Sequence, residues 1–214
     1  MRNIMLKLKI GIKQISKLLV VFLGICVMAS CTSIQTKMTP ISSKNTFEQD
    51  KVKSQLLKLE SWKIRGVLGI IYNNKAESAD YIYSQKGDKF SIKLYGPLGI
   101  GSVEIKGDPN NVTLENSQGQ KIEANDVKSL MIEQLGWYVP IEGLKYWVKA
   151  IAIPNVEYKS KLNQNNLLDT LEQNGWDISY KGYQFVDSKY PLPSKIRMSR
   201  DGLIIKIVIK SWQF

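Results

Sequence analysis

The sequence predicts a mainly β domain of the α+β class, in which helices pack against one antiparallel sheet. Apolar and polar residues alternate over much of the chain beyond residue 61, and turn-forming residues recur about every ten positions. Three shorter segments have helical spacing instead. A chain of 214 residues has the usual length of one domain, and no internal repeat divides it.

The first thirty residues do not belong to this domain. Arg2 and Lys7 begin a basic stretch without acidic residues, and residues 18–30, LLVVFLGICVMAS, are apolar and end in small side chains. This is the pattern of a secretory signal peptide. Because a membrane span needs roughly 20 apolar residues, an uncleaved membrane anchor is the weaker alternative.

The leader ends in MASC (residues 28–31), which resembles the bacterial lipobox, where a lipidated cysteine becomes the first residue of the mature chain. Met28 departs from the usual leucine. Cys26 is the competing position, but the residue before it is too large for the cleavage pocket. Once Cys31 is acylated no internal disulfide is possible. Residues 32–33 lack Asp, as in lipoproteins sorted to the outer membrane.

The chain therefore divides into three predicted segments. A signal peptide covers residues 1–30, and a lipidated N-terminus with a flexible, Ser/Thr-rich tether covers residues 31–46. The folded domain covers residues 47–214.

Alternating apolar residues predict the strands in order. The first apolar faces run over residues 62–72, 79–83, 90–94 and 103–105. The turns between and after them are predicted at Asn73-Asn74, Lys86-Gly87-Asp88, GDPNN and NSQGQ. Later strands are joined by the hairpin turns Asn174-Gly175 and Asp201-Gly202, and the last is LIIKIVIKSW.

Three segments are predicted to be helical. The first covers residues 47–60, with a capping box that begins at Thr46. The second starts at Asn125 and stops at Gly136, and the third starts at Pro140, a favourable first-turn residue.

The residue inventory argues against catalysis. Histidine is absent, which excludes His-based triads and histidine metal sites. The one mature cysteine is predicted to be acylated, and no phosphate-binding loop or acidic metal cluster stands out. Glu104 and Glu115 could form a carboxylate pair, but a solvated strand face explains them better. The sequence predicts a binding protein that is not an enzyme and holds neither cofactor nor metal.

The charge is basic but dispersed. The formal net charge of +11 falls to about +6 when the five basic residues of the leader are removed. No block of like charges resembles a nucleic-acid-binding arm. A predicted periplasmic location also argues against nucleic acid as a partner.

Two features leave alternatives open. The five Trp and ten Tyr either fill a core or line an apolar cavity under a curved sheet. The turn within LYGPLGIGSVEI (residues 94–105) carries Leu98 and Ile100, which either fold back onto the core or form a tip that touches a membrane.

Three stretches together resemble the outer-membrane lipoprotein receptor family LolB. They are SWKIRGVLGI (61–70), LYGPLGIGSVEI (94–105) and LGWYVPIEGLKYWVKAIAIP (135–154), in matching order and spacing. The third is the most specific, and the resemblance covers residues 47–214 and the lipobox.

The resemblance implies an incomplete antiparallel β-barrel that is covered by helices and encloses a hydrophobic cavity for acyl chains. Proteins of this family accept triacylated lipoproteins from the periplasmic carrier LolA and insert them into the outer membrane. The resemblance further implies a monomer anchored in the outer membrane of a Gram-negative bacterium, facing the periplasm. Its partners would be LolA, lipoprotein cargo and outer-membrane phospholipid.

The resemblance also places site residues. Residues 97–100 become a membrane insertion loop, with Leu98 as the exposed leucine, Ile100 as a second apolar side chain and Pro97 and Gly99 beside them. The acyl-cavity candidates are Trp62, Ile64, Tyr83, Ile92, Leu94, Trp137, Trp147 and Trp176.

Other functions remain as hypotheses. Arg65 either meets a glycerol ester or the carrier, or is a surface arginine. The alternative function is a structural or inhibitory envelope lipoprotein with a filled core that binds a protein or a glycan. A lipid-modifying enzyme is disfavoured by the missing His and Cys.

Overall fold

The computed structural model describes residues 36–96, 101–108 and 110–214. The predicted signal peptide, Cys31 and the predicted insertion loop at residues 97–100 lie outside the described residues. The described residues belong to one compact unit, and they build its hydrophobic core.

Twelve strands and three helices make up the described fold. The strands are β1 Met38–Pro40, β2 Ser61–Tyr72, β3 Lys75–Lys86, β4 Lys89–Tyr95, β5 Ser102–Gly107, β6 Val112–Asn116, β7 Lys121–Ala124, β8 Lys159–Leu162, β9 Leu168–Gln173, β10 Trp176–Val186, β11 Tyr190–Arg200 and β12 Leu203–Gln213. The helices are α1 Gln49–Leu57, α2 Val127–Leu135 and α3 Ile141–Trp147.

All strands belong to one antiparallel sheet. Its order is β7-β6-β5-β4-β3-β2-β12-β11-β10-β9-β8, and β1 pairs with β10 at the same edge as β9. Two meanders, β2 to β7 and β8 to β12, are thus joined where β2 pairs with β12. The end strands β7 and β8 do not pair with each other, so the barrel is incomplete, which confirms the predicted fold class.

Short turns set the register of the long hairpins, as predicted. Asn73 and Asn74 both have positive φ, 49° and 59°, which is the backbone of a type I′ turn. Asn174-Gly175 and Asp201-Gly202 have the same combination. The primed turn matches the right-handed twist of the paired strands, so each dipeptide is sufficient to close its hairpin.

The helix starts differ from their predictions. The N-cap of α1 is Glu48, not Thr46, so the predicted capping box is wrong. The cap of α2 is Asp126, one residue after Asn125, and its carboxylate accepts hydrogen bonds from the backbone N–H groups of Lys128 and Ser129. Gly136 ends α2 at φ 78°, as predicted.

Part of the segment predicted as a tether packs onto the domain. Met38–Pro40 pairs with Val186, Phe185 and Gln184 of β10. The Asn165 side chain then donates hydrogen bonds to the carbonyl oxygens of Ser42 and Asn45, at 2.9 and 2.6 Å. The chain therefore reaches the sheet already at Met38, earlier than composition alone indicates.

The core lies between the inward face of the sheet and the helices. Two aromatic groups occupy it. Trp62 packs edge-on against Tyr83 at 4.7 Å and beside Trp212 at 5.6 Å between ring centroids. Trp147 and Trp176 form the second group at 6.1 Å.

Candidate functional site

An apolar cavity lies between the sheet and the segment that carries α2 and α3. Its volume is about 60 Å³. Only apolar and aromatic residues line it: Leu68, Ile92, Leu94, Ile105, Met131, Trp137, Val139, Ile141, Leu144, Met198, Ile205 and Ile207.

The strand register builds the floor of this cavity. Leu68 lies opposite Ile207, Met198 opposite Ile205, and Ile92 opposite Ile105. Because side chains alternate across a strand, these cross-strand pairs all point to the inward face. Five strands, β5, β4, β2, β12 and β11, thus contribute apolar side chains to the floor, and β3 lies between two of them without a lining residue.

The helical segment builds the roof. Met131 comes from α2, and Ile141 and Leu144 come from α3. Trp137 and Val139 lie in the short link between the two helices. The left-handed Gly136 stops α2, and Pro140 precedes α3, so only a short link that carries Trp137 and Val139 joins the two helices.

The structure divides the eight predicted cavity residues. Ile92, Leu94 and Trp137 line the cavity. The other five are buried in the core clusters instead, outside the described lining: Trp62, Ile64, Tyr83, Trp147 and Trp176. A role for any of the eight in acyl binding stays a prediction.

The sequence prediction, which favoured aromatic residues, did not include most of the residues that line the cavity. Leu68, Ile105, Ile205 and Ile207 alternate on the inward faces of predicted strands, and that period was the available signal. Which inward residues face a void is a matter of how the helices sit above them. Periodicity does not contain that information.

Lys149 secures the helix α1 beside the cavity roof. Its ammonium group donates to the carbonyl oxygens of Leu56 and Leu59, both at 3.0 Å. The Leu56 carbonyl lies in the last turn of α1 and the Leu59 carbonyl just beyond it, where a cation is favourable. Burial, and then repulsion from Lys145, lowers the pKa of Lys149 to about 8.

Gln173 joins the sheet to the chain that follows α3. Its side-chain oxygen accepts from Trp147 Nε1 at 3.0 Å and from the backbone N–H of Ile153 at 2.8 Å. Its amide group donates to the carbonyl oxygens of Ile153 and Val156. This buried amide is fully used in positioning α3 and is unavailable to a ligand.

The remaining candidates lie on the outward face. Glu104 lies directly opposite Glu115, but Glu104 accepts from Ser91 Oγ at 2.7 Å. Glu115 lies 3.5 Å from Lys106 Nζ and 3.7 Å from Lys121 Nζ. Arg65 is exposed. The two carboxylates thus belong to a solvated network rather than to a cleft.

Wider clefts also occur, and they carry charge. One, of about 450 Å³, is lined partly by Lys63, Lys86 and Lys89, and another, of about 340 Å³, includes Glu60 and Asp88. Neither suits an apolar ligand as well as the cavity under α2 and α3 does. In the described part of the chain no helix combines the length and the hydropathy needed to cross a bilayer.

The open antiparallel sheet with its covering helices has counterparts among solved structures. A domain from Vibrio parahaemolyticus assigned to outer membrane lipoprotein sorting superposes with a TM-score of 0.52 at 8% identity, over 77% of this chain and 89% of that one. A DUF1329 family protein from Desulfovibrio piger has a TM-score of 0.50 at 6% identity, over 77% and 90% of the two chains. At these identities the likeness concerns the fold alone.

Sequence comparison defines the family. The model of the family described as Outer membrane lipoprotein LolB matches residues 60–212. The outer-membrane lipoprotein LolB of Francisella tularensis subsp. novicida is 63% identical over 98% of this chain and 100% of its own length. That of a Pseudomonas fluorescens strain is 31% identical over 90% and 94% of the two chains. The chain belongs to the LolB family of outer-membrane lipoproteins.

Proposed function

We propose that this protein is a receptor at the outer membrane that accepts lipoproteins from the periplasmic carrier LolA and inserts them into that membrane. The observation that carries the proposal is the wholly apolar cavity between the sheet and α2–α3 in a member of the LolB family. In this role the protein binds and releases acyl chains and catalyses no covalent reaction.

The chemistry of the cavity suits the cargo. An acyl chain of about sixteen carbons gains roughly 0.8 kcal/mol for each buried CH₂ group, and the lining offers no polar side chain that would oppose this gain. Burial in the cavity thus competes directly with burial in a bilayer.

The size of the cavity implies that it opens. Its volume of about 60 Å³ is well below the roughly 300 Å³ at which ligand pockets begin. Therefore α2, α3 and their link must move away from the sheet to admit an acyl chain. Met131 and Trp137 contact the floor through a wholly apolar lining, whereas movement of α3 has to strain the buried hydrogen bond from Trp147 Nε1 to Gln173.

Transfer in one direction needs no energy source. It requires that each successive site binds the acyl chains somewhat better than the previous one, and about 1.4 kcal/mol per step biases the equilibrium tenfold. The proposed lipidated Cys31 would keep the receptor at its membrane, and the proposed loop with Leu98 and Ile100 would contact the bilayer during release.

The direct test is a transfer assay. Carrier loaded with labelled lipoprotein is mixed with residues 36–214, which contain the complete core and lack the anchor. We expect labelled lipoprotein to pass to the domain and not back. If no transfer occurs at any concentration, the protein is better described by the alternative, a structural envelope lipoprotein with a filled core.

The loop has its own test in the variant Leu98→Glu. We expect this variant to take cargo from the carrier as before and to lose delivery into vesicles at least tenfold, because a carboxylate is costly to place in a bilayer. Ser117→Glu, which adds the same charge to the exposed turn between β6 and β7, is the matched control. Unimpaired delivery by the Leu98 variant would remove the loop from the mechanism.

A further inference from the structure

Four basic side chains lie together on the outward face of β10, β11 and β12. These residues, here called the basic patch, are Lys181, Lys195, Arg197 and Lys206, and all four are exposed. Lys181 lies directly opposite Lys195, and Arg197 lies directly opposite Lys206. Like charges in directly opposed positions destabilise a sheet. The patch therefore works against folding and needs another explanation.

Acidic residues do not neutralise the patch within the part of the chain that the structure describes. The ion pairs found there use other lysines and Arg200. Asp177 shares the outward face but lies opposite Ser199, one row beyond Arg197. Asp80 lies in the same cross-strand row as Lys195 but three strands away. Its carboxylate is 3.7 Å from Lys210 Nζ, which is outside the patch. The patch thus presents uncompensated positive charge to its surroundings.

Apolar side chains continue the same face. Val208 lies between Lys195 on one side and Val67 on the other, and it is 38% exposed. Ile204 lies opposite Ile71 two residues from Lys206, and both are half-buried on the outward face. Basic residues combined with exposed apolar ones are typical of surfaces that rest on an anionic bilayer.

We propose that the basic patch is a docking surface for the anionic phospholipid headgroups of a bilayer. The lysines and arginine would contact lipid phosphates, and Val208 would reach the apolar boundary beneath them. A bilayer is favoured over an acidic protein because the chain belongs to a family of outer-membrane lipoproteins. The face is also opposite to the cavity lining, so docking leaves the α2–α3 roof free to open. The inference that the docked domain keeps its cavity roof free rests on the proposed function and deepens it. The binding of anionic lipid by the basic patch does not depend on that function.

The test is binding of residues 36–214 to empty vesicles, measured by co-flotation. The probe is phosphatidylcholine vesicles with and without phosphatidylglycerol. Each basic residue near an anionic surface contributes roughly a factor of five to partitioning. We therefore expect replacement of all four patch residues by Gln to reduce binding to the anionic vesicles at least tenfold. Salt at about 0.5 M should abolish the difference between the two vesicles.

A control with the same change in net charge makes the test specific. Lys44, Lys58, Lys75 and Lys128 are exposed, form no ion pair among the described residues and lie outside the patch. Their replacement by Gln should change binding less than about threefold. Equal losses in the two variants would overturn the proposal, as would intact vesicle binding with weakened binding to the carrier, which would assign the patch to a protein partner. Cargo transfer to the domain without vesicles is measured separately, so its failure would count against the receptor function alone.

Discussion

Gly66 shows how one residue permits the joint between the two halves of the sheet. It lies on the inward face of β2, opposite Ile209 of β12, where the register shifts between Ile209 and Ser211. The bulge brings the Val208 carbonyl so close that a Cβ at position 66 would overlap its oxygen atom. Glycine is needed at this position because the two backbones approach too closely for any side chain.

The variant Gly66→Ala should accordingly be destabilised by about 3 kcal/mol, because the added methyl forces the two central strands apart. Gly69→Ala is the control in the same strand, where the nearest atom is Lys206 Cβ at 3.8 Å. We expect it to change the free energy of unfolding by less than about 1 kcal/mol. Urea denaturation of both variants measures the effect, and equal stabilities would contradict the role of the bulge.

At the scale of elements, α2 is positioned by its two ends. Asp126 caps the first turn with bonds to the Lys128 and Ser129 N–H groups, at 3.2 and 2.9 Å, and also accepts from Ser129 Oγ at 2.6 Å. Gly136 ends the helix in the left-handed conformation. Between these ends Leu130 and Met131 are buried, and Met131 reaches the cavity. The cap therefore helps to fix the cavity roof.

We expect Asp126→Ala to lower the thermal midpoint of unfolding and Asn125→Ala to leave it unchanged. The Ser129 hydroxyl and backbone N–H lower the pKa of the Asp126 carboxyl below 3.8. A carboxyl with a lowered folded pKa contributes stability above its unfolded pKa and loses it as the pH falls through the folded value. The difference between wild type and Asp126→Ala should thus shrink as the pH falls below 3.8, as thermal scans would show. A larger decrease in the thermal midpoint for Asn125→Ala than for Asp126→Ala would show that Asn125 is the N-cap of α2.

At the scale of the molecule, two apolar surfaces meet without filling the space between them. The floor belongs to strands of both meanders, and the roof belongs to the chain that connects β7 with β8. The same connection crosses from one free edge of the sheet to the other. The cavity cover is therefore a single connection laid over an open sheet and is not part of a closed barrel.

Narrowing the cavity should therefore impair acyl binding without unfolding the domain. Leu94→Trp adds volume at a half-buried lining residue, and we expect at least a tenfold loss in capture of a fluorescent triacylated peptide. Ile82→Trp, on the outward face of β3, is the matched control and should bind within about twofold of wild type. Circular dichroism checks that both variants are folded, and equal capture by them would argue that acyl chains bind elsewhere.

Much of the local structure was predictable because it depends on neighbours in the chain. Alternation over residues 62–72 and the dipeptides Asn73-Asn74 and Asp201-Gly202 contain the information for strands and hairpins. Helix starts were less certain, since Asn125 and Asp126 are both good caps and only the tertiary position of α2 chooses between them. The docking of Met38–Pro40 had no local signal because its partner β10 lies about 150 residues away.

The sequence by itself determined the fold class, the hairpin turns and membership of the LolB family, since periodicity, turn chemistry and motif spacing are properties of neighbouring residues. Only the tertiary structure decided that Ile92, Leu94 and Trp137 face a void while Trp62 and Trp147 fill the core. Only the register of β10, β11 and β12 brought four separate basic residues into one patch. The reason is the same in both cases: burial and charge density arise from segments distant in the chain, and no period within one strand records what lies across from it.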